Sequence, residues 1–510
     1  MSCAESLGIV PQSRHPHQPT IRWNRKGTVN AARPPQTWQT YEIECLQARH
    51  DAAGVTVANP RVTVVWNGVT VHDDVEILRP TGGSRPAGPT AGASLDRVTS
   101  MTSLEWSPAP VGIDASRWVS RSGCRPTLVV AHTIASCQRL LDVIGYVEGD
   151  PRVQVVFTVA PDVFNHQVAR FLDQLGALVL PWHQAVREHF DLGIAAAHGG
   201  LHQLHAPLLL LAHGAGRSKR VRPGSSDAPV LADPPVYGLD AQRLTHDGRV
   251  LPTALALSHD RELEVLRRQC PEAVEAAVVV GDPCVDRLVA SLPRRPDYRR
   301  AMGLGEHQQL VVVSSTWGRD GAFGRWPDLL PQLMKQLPAD RYRVAALLHP
   351  AIWDGHGHRQ IRAWLRGCLD AGLLLPDPTE DWRGPVVAAD HVVGDHGSVT
   401  AYAAAIGRRT LLLPAQGPVP ATGTAQHLLA THAPRLDPRQ PLISQLALTG
   451  EVDPGTVMAA LTARPGNAGV LLRRTMYRLL RLAEPDQRQQ TDPVPVPRPH
   501  HWATERGLAG

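Results

Sequence analysis

The sequence predicts an α/β protein built on two consecutive parallel sheets and preceded by a short stretch of antiparallel β-structure. Three observations carry that prediction. Short, wholly apolar runs such as "LVVA", "LLLLA" and "LVVV" end in small or polar residues and are separated by helical lengths. Strands buried on both faces read this way, and parallel sheets are the sheets buried on both faces. The runs come in two series, parted where "SLPRRPDYRRAMGLGEH" is polar and proline-bearing, which puts a join near residues 289 to 305. Upstream of both series, "WQTYEIECLQAR" and "RVTVVWNGVTVHDDVEIL" alternate apolar with polar residues, and Asn67-Gly68 between two such runs signals a hairpin.

Taken in order, residues 1–29 are polar, proline-bearing and aperiodic, and are expected to be disordered. Residues 30–83 form the β-segment; the few strands that fit between 38 and 80 cannot close a sandwich, so this is part of a domain. Residues 84–123, rich in Gly, Pro, Ser and Ala, read as a linker. Met101 lies inside it, and a chain beginning there is expected to fold without the upstream segment. A first Rossmann-like lobe, 124–300, reads "PTLVVAHT" as strand, 134–146 as helix, "VQVVFTVA" as strand, 165–175 as helix and "ALVLP" as strand. The strands "DLGIAAAH", "PLLLLAHG", "TALALSH" and "AAVVVGDP" follow. A second lobe, 301–440, contains "QQLVVVSSTWG", "YRVAALLHP", "GLLLP", "HVVGDHGS" and "TLLLPA". A helical segment, 441–483, includes "GVLLRRTMYRLLRL", whose arginines edge an apolar face; it reads as a packing helix, with an anionic membrane surface as the alternative. The tail 484–510 is expected to be disordered or polyproline-like.

Composition limits the function. A chain of 510 residues exceeds one core. A net charge of +5 from 52 basic and 47 acidic residues is spread thinly, so no nucleic-acid partner is expected. The 7 cysteines are odd in number, scattered and without a CxxC pair, as suits reduced thiols in the cytoplasm. No signal peptide and no long apolar run is present in the sequence, so any membrane contact is expected to be peripheral at most. The P-loop pattern GxxxxGK[ST] is absent from the sequence.

Polar residues at the ends of buried strands are where an open α/β sheet binds ligands. In "VVGDHGSVTAYAAAIGRRTLLLP" the break Gly394-Asp395-His396-Gly397-Ser398 separates a strand from a helix at about 399–407, so its amides and the Ser398 hydroxyl open a helix. An anion is favoured there, although Asp395 and Ser398 would equally serve as caps. "LLLLAHGAGRSK" puts His213 just after a first-lobe strand, followed by Gly214 and Gly216 and by the cations Arg217 and Lys219. "VAALLHPAIW" puts His349 at a second-lobe strand end. One imidazole from each side of a cleft supplies a base for an acceptor hydroxyl and a partner for a leaving phosphate. His356 and His358 in "WDGHGHRQ" have a chelating spacing but no evident third ligand, so they read as a solvated loop, and no metal is expected. Arg408-Arg409 read as cations ending a helix.

The order of motifs from 207 to 414 resembles the GT-B superfamily, most like CDP-glycerol glycerophosphotransferases and more distantly UDP-N-acetylglucosamine 2-epimerases. The residues that carry it are "HG" at 213–214, "GDPCVD" at 281–286, "SSTWG" at 314–318, "HP" at 349–350 and "DHGS" at 395–398. The resemblance implies a nucleotide-diphosphate donor and a hydroxyl acceptor, a cell-envelope polymer among the candidates, with no cofactor. It implies His213 as base and His349 beside the donor, with Gly214, Thr316, Asp395, His396, Gly397 and Ser398 around the donor phosphates. Three positions depart from the family pattern, namely Ala212 for tryptophan, His396 for tyrosine and Gly397 for serine. Residues 30–83 resemble the carboxy-terminal half of the 3-keto-disaccharide hydrolase family, a jelly roll, and no catalytic residue carries over. The leading expectation is a transferase of a glycosyl or glycerophosphoryl group. A catalytically silent nucleotide-binding protein and a 3-keto-glucoside hydrolase or lyase are the alternatives.

Overall fold

The computed structural model describes residues 41–46, 49–51, 56–59, 61–67, 69–76, 107, 109–112, 115, 119–221, 234–414, 419–437, 439–447, 452–486 and 489–497. The expectations for residues 1–29, for Met101 and for most of the linker lie outside them. The chain divides into two units, Met1–Leu104 and Glu105–Gly510.

In the first unit β1 (Tyr41–Leu46), β4 (Arg61–Trp66) and β5 (Val69–Glu76) form an antiparallel sheet in the order β1-β4-β5, and β2 (Arg49–His50) pairs with β3 (Thr56–Ala58). The expected hairpin is β4–β5, closed by the pair Trp66 and Val69 around Asn67, whose φ of +52° is the left-handed turn conformation that asparagine tolerates. Val64 and Val71 are buried.

The second unit holds two parallel sheets, each in a Rossmann-like lobe. The first contains β6 (Arg125–Ala131), β7 (Val153–Val159), β8 (Val179–Leu180), β9 (Leu192–Ala195), β10 (Leu208–Leu210), β13 (Ala254–Leu257) and β14 (Ala277–Val279). Between β10 and β13 a small hairpin pairs β11 (Thr245–His246) with β12 (Arg249–Val250). The order of the large sheet is β14-β13-β10-β9-β6-β7-β8. Along β6, Val129 and Ala131 enter one core while Leu128 and Val130 enter another on the opposite face, which is why the strand reads as continuously apolar. The second sheet, β16-β15-β17-β18, contains β15 (Gln309–Ser315), β16 (Tyr342–Leu348), β17 (His391–Gly394) and β18 (Arg409–Leu412). It too has a core on each face, with Leu310 and Val312 on one side and Val311 and Val313 on the other. The run "GLLLP" makes only a single bridge, from Leu374 to Ala345.

The chain then returns. The helix Ala468–Leu480 inserts Leu472, Met476 and Leu480 into the first-lobe core, as a packing helix. Residues 489–497, inside the tail expected from 484 to be disordered or polyproline-like, lie on the second lobe's core. Val494 is fully buried there, its N–H donating to Ser291 Oγ (2.9 Å) and its carbonyl accepting from the Tyr298 hydroxyl (2.6 Å). A valine between prolines carries no periodicity, so the packing left no local signal. No helix among the described residues is long and apolar enough to cross a membrane.

Candidate functional site

Both sheets reverse their strand order, the first between β6 and β9 and the second between β15 and β17. Adjacent connections diverge there and leave a crevice at the carboxyl ends. In the first lobe, His132 follows β6, His198 follows β9 and His213 follows β10; in the second, Thr316 follows β15, His349 follows β16 and Asp395 follows β17. The two crevices face each other. Ser398 Oγ accepts from Ala215 N at 3.0 Å, Phe164 packs on Trp317 with ring centroids 5.1 Å apart, and Gln167 donates to Asp354 at 2.9 Å.

His213 and His349 come together in this cleft, close enough for His213 to lower the pKa of His349. His213 is reached by solvent, yet the protein packed around its ring, and then Lys219, push its pKa down to about 4. Burial, then His213 and Lys219, push His349 down to about 3. Both rings are therefore neutral at pH 7, and their partners fix the tautomers. His213 Nδ1 lies 3.1 Å from the Ala196 carbonyl, which can only accept, so Nδ1 carries the proton and Nε2 offers a lone pair. His349 caps the helix Pro350–His356, its Nδ1 accepting from Ala351 N at 3.1 Å, so its Nε2 carries the proton and donates. The cleft thus presents one imidazole acceptor and one imidazole donor beside Lys219.

The loop between β17 and the helix Ser398–Ala405 is tied down by its own side chains. Asp395, 4% exposed, accepts from Thr316 N (2.8 Å), Thr316 Oγ1 (2.8 Å), Ala322 N (3.0 Å) and Gly397 N (3.0 Å). Thr316 and Asp395 thus bind each other across the switch point of the second sheet. Gly397 is required by the closeness of this arrangement, since a Cβ there would lie 2.7 Å from Thr316 Cγ2. Gly214 is equally constrained, because a Cβ would stand 2.5 Å from Ser398 Oγ. His396 is exposed. The Ser398 hydroxyl is engaged with the first lobe, and the Asp395 carboxylate supplies negative charge at the helix start.

The motif "GDPCVD" holds the two lobes together. Asp282 caps the helix Pro283–Ser291 and pairs with Arg139 at 2.7 Å, while the Tyr402 hydroxyl from the second lobe donates to Asp282 at 2.6 Å and accepts from Arg139 at 2.8 Å. Asp286 accepts from Gly466 N and Ala468 N at the start of the last long helix. Asp142, on the same helix as Arg139, is bridged by Arg287 and by Arg383 of the second lobe. His358 bonds Gln167 across the cleft at 2.8 Å and sits near Asp377, while Arg408 donates to the Ala389 carbonyl. Among the described residues no cluster of three or more metal-ligating side chains exists.

Sequence reasoning missed His132, His198, Arg139 and Tyr402, and held Asp282 only as part of the motif "GDPCVD". His132 is fully buried with Nε2 2.7 Å from the Gly199 carbonyl, and His198 has a pKa lowered to about 3 by burial and by Arg217. Both end a buried strand, "PTLVVAH" and "DLGIAAAH". The rule that singled out His213 and His349 applies to them as well. Arg139 and Tyr402 gave no comparable signal, because their partners lie 120 to 263 residues away.

With this geometry in hand, the chain can be compared with known proteins. The 3-keto-alpha-glucoside-1,2-lyase-like domain family matches residues 6–101. No curated protein matches. Among solved structures, the chain is similar to a wall teichoic acid polymerase TagF variant soaked with CDPG, at 13% identity, with 70% of this chain and 88% of that chain covered and a TM-score of 0.48. It is also similar to UDP-GlcNAc 2-epimerase from Neisseria meningitidis bound to UDP-GlcNAc, at 12% identity, covering 69% and 100% with a TM-score of 0.42. The epimerase of Methanocaldococcus jannaschii gives 11% identity, 69% and 99% coverage and a TM-score of 0.43. At such identities and scores, none of these likenesses bears on ligand or reaction.

Proposed function

We propose that the second unit is a transferase that moves a glycosyl or glycerophosphoryl group from a nucleotide-diphosphate donor to an acceptor hydroxyl. The observation that supports the reading is the complementary histidine pair. The lone pair of His213 Nε2 takes the proton of the attacking hydroxyl, while His349 Nε2–H and Lys219 neutralise charge as it moves onto the departing phosphate oxygen, that of a nucleoside diphosphate in glycosyl transfer and of a nucleoside monophosphate in glycerophosphoryl transfer. Asp395 and Thr316 hold the loop that faces them and act as positioning residues. On this reading the protein works in the cytoplasm, where nucleotide-diphosphate donors are made, and needs no metal. The test is a thermal-shift series with CDP- and UDP-linked donors. A midpoint raised by one of them supports the reading, because binding to the native state stabilises by mass action. No shift at millimolar nucleotide removes it.

One observation favours a second reading, a protein that binds nucleotides without turnover. The Ser398 hydroxyl is engaged with Ala215 N, and the Asp395 carboxylate with Thr316, Ala322 N and Gly397 N, so both are already held by the protein and neither is left to act on a reacting group. A nucleotide-dependent thermal shift with no product formed from any acceptor would select that reading. The 3-keto-glucoside reading belongs to the first unit alone and rests on the family match over 6–101.

A further inference from the structure

Among the described residues the chain passes between the lobes three times. It first leaves the helix Pro283–Ser291, which is tied to the first lobe by Asp282 on Arg139 (2.7 Å) and by Arg287 on Asp142. It enters the helix Arg295–Ala301, which is tied to the second lobe by Arg295 and Arg299 on Asp390, at 2.7 and 2.9 Å. Only the short turn Leu292–Arg294 separates these two helices. The chain returns from the helix Pro454–Leu461, which packs on Ser398–Ala405, to the helix Ala468–Leu480 in the first-lobe core. The third passage is made by the tail. Its beginning is held on the first lobe, where Arg152 donates to the Ala483 carbonyl at 2.9 Å and Arg473 to the Pro485 carbonyl at 3.0 Å.

The tail's other end sits on the first passage. Val494 donates its N–H to Ser291 Oγ and accepts at its carbonyl from the Tyr298 hydroxyl. Ser291 Oγ gives its own hydrogen to the Arg287 carbonyl at 2.7 Å, so it turns a lone pair to Val494. One buried residue of the tail therefore grips the last residue of one helix and a ring of the next, across the turn Leu292–Arg294. Val496 packs on the same core, and Pro497 lies against Gly384, where a Cβ would come within 3.3 Å of its ring. When two lobes open, a few residues at the ends of elements absorb the rotation, and Leu292–Arg294 are placed to do so. Such a rotation moves Ser291 relative to Tyr298, while Val494 holds both. We propose that residues 489–497 clamp this hinge and so set how readily the cleft between the lobes opens. The proposal concerns motion alone and does not depend on the transferase reading.

Hydrogen exchange read by mass spectrometry on the full chain tests it. Two amides report on the cleft itself, Ala215 N, which donates to Ser398 Oγ at 3.0 Å, and Ala421 N, which donates to the Ser218 carbonyl at 2.9 Å. The double variant Ser291→Ala with Tyr298→Phe removes both grips on Val494 and leaves the ring at 298 in the core. Exchange in the peptides carrying Ala215 and Ala421 is expected to rise about tenfold, the combined effect of two buried hydrogen bonds on an opening equilibrium. The helix Leu329–Gln336, which packs on the opposite face of the second sheet, is expected to keep its rate. Should the double variant fail to fold, Ser291→Ala decides alone, with an expected rise of about threefold. Faster exchange confined to residues 291–298 and 489–497, with both cleft amides unchanged, would mean that the tail only packs there, and overturns the proposal. So does a rise that reaches Leu329–Gln336 equally, which would be a general loosening.

Discussion

Replacing Tyr402 by Phe removes one hydroxyl and leaves the ring, which stacks on Trp382 at 5.6 Å, in place. That hydroxyl donates to Asp282 Oδ2 at 2.6 Å and accepts from Arg139 at 2.8 Å, in a site where the Arg139 and Asp282 side chains are only 4% and 2% exposed. Asp282 Oδ1 keeps Arg139 and Cys284 N, but Oδ2 loses its donor. Hydrogen bonds to charged groups contribute about 1.5–3 kcal/mol, and an orphaned buried acceptor adds its desolvation cost, so the loss is about 2–4 kcal/mol. Unfolding entropy of about 2.1 cal/mol/K per residue over the unit Glu105–Gly510 converts this to a fall in melting temperature of about 2–5 °C. Calorimetry of the variant measures it, and a double-mutant cycle with Asp282→Asn reports the coupling, expected at about 1–3 kcal/mol. A fall below about 1 °C, or two effects that simply add, would refute the claim that this hydroxyl couples the lobes.

His213→Ala is expected to lower turnover by about two to four orders of magnitude with donor affinity little changed, as kcat and KM measured separately will show. With the base titrating near 4, kcat/KM of the native protein should stay level from neutral pH down to about 5.5. The histidines also set the acid limb of stability. His213, His349 and His198 fall to about 4, 3 and 3 in the folded protein, so below the ordinary histidine value of about 6.5 the unfolded chain binds more protons. Stability is therefore lost as pH drops from about 6.5 toward 4, and His349→Gln should flatten a melting curve series over that window. Gly214→Ala forces Ser398 Oγ off Ala215 N, costing about 1 kcal/mol and loosening the closed cleft, which small-angle scattering should record as a larger radius of gyration.

Much of the fold was legible because each parallel strand sits between two cores and so reads as an unbroken apolar run, and because its helix follows within a few residues. The helix Ile134–Ile144, read from the sequence as 134–146, buries Cys137, Leu140 and Ile144 on one face, and the structure adds a cap from Thr133 and Ser136 at its start. His213 and His349 were legible for the same local reason, a polar residue at the end of a buried strand. The roles of Asp395 and Ser398 were not. Sequence placed both near a helix start, where an anion and a cap are equally natural, and only the positions of Thr316 and Ala215 from distant strands show which atoms are already engaged. "GDPCVD" stood in the sequence only as one motif of a resemblance, and its part as a joint was hidden because Arg139, Tyr402, Gly466 and Ala468 reach it from far along the chain.

The return of the helix Ala468–Leu480 to the first lobe governs how the chain can be made. All seven strands of that lobe's sheet have left the ribosome by Val279, yet the helix that touches β9 and the helix Ile134–Ile144 arrives only when the second lobe has been synthesised. At ordinary elongation rates the delay over roughly 200 residues is about 10–40 s, during which the apolar side awaiting Leu472, Met476 and Leu480 stands open. Neither half can therefore ripen on its own. A ribosome stalled between residues 300 and 460 should hold a first lobe that is collapsed, sticky and a client for chaperones, and cutting the gene at the inter-lobe join would yield two unfinished pieces rather than two domains.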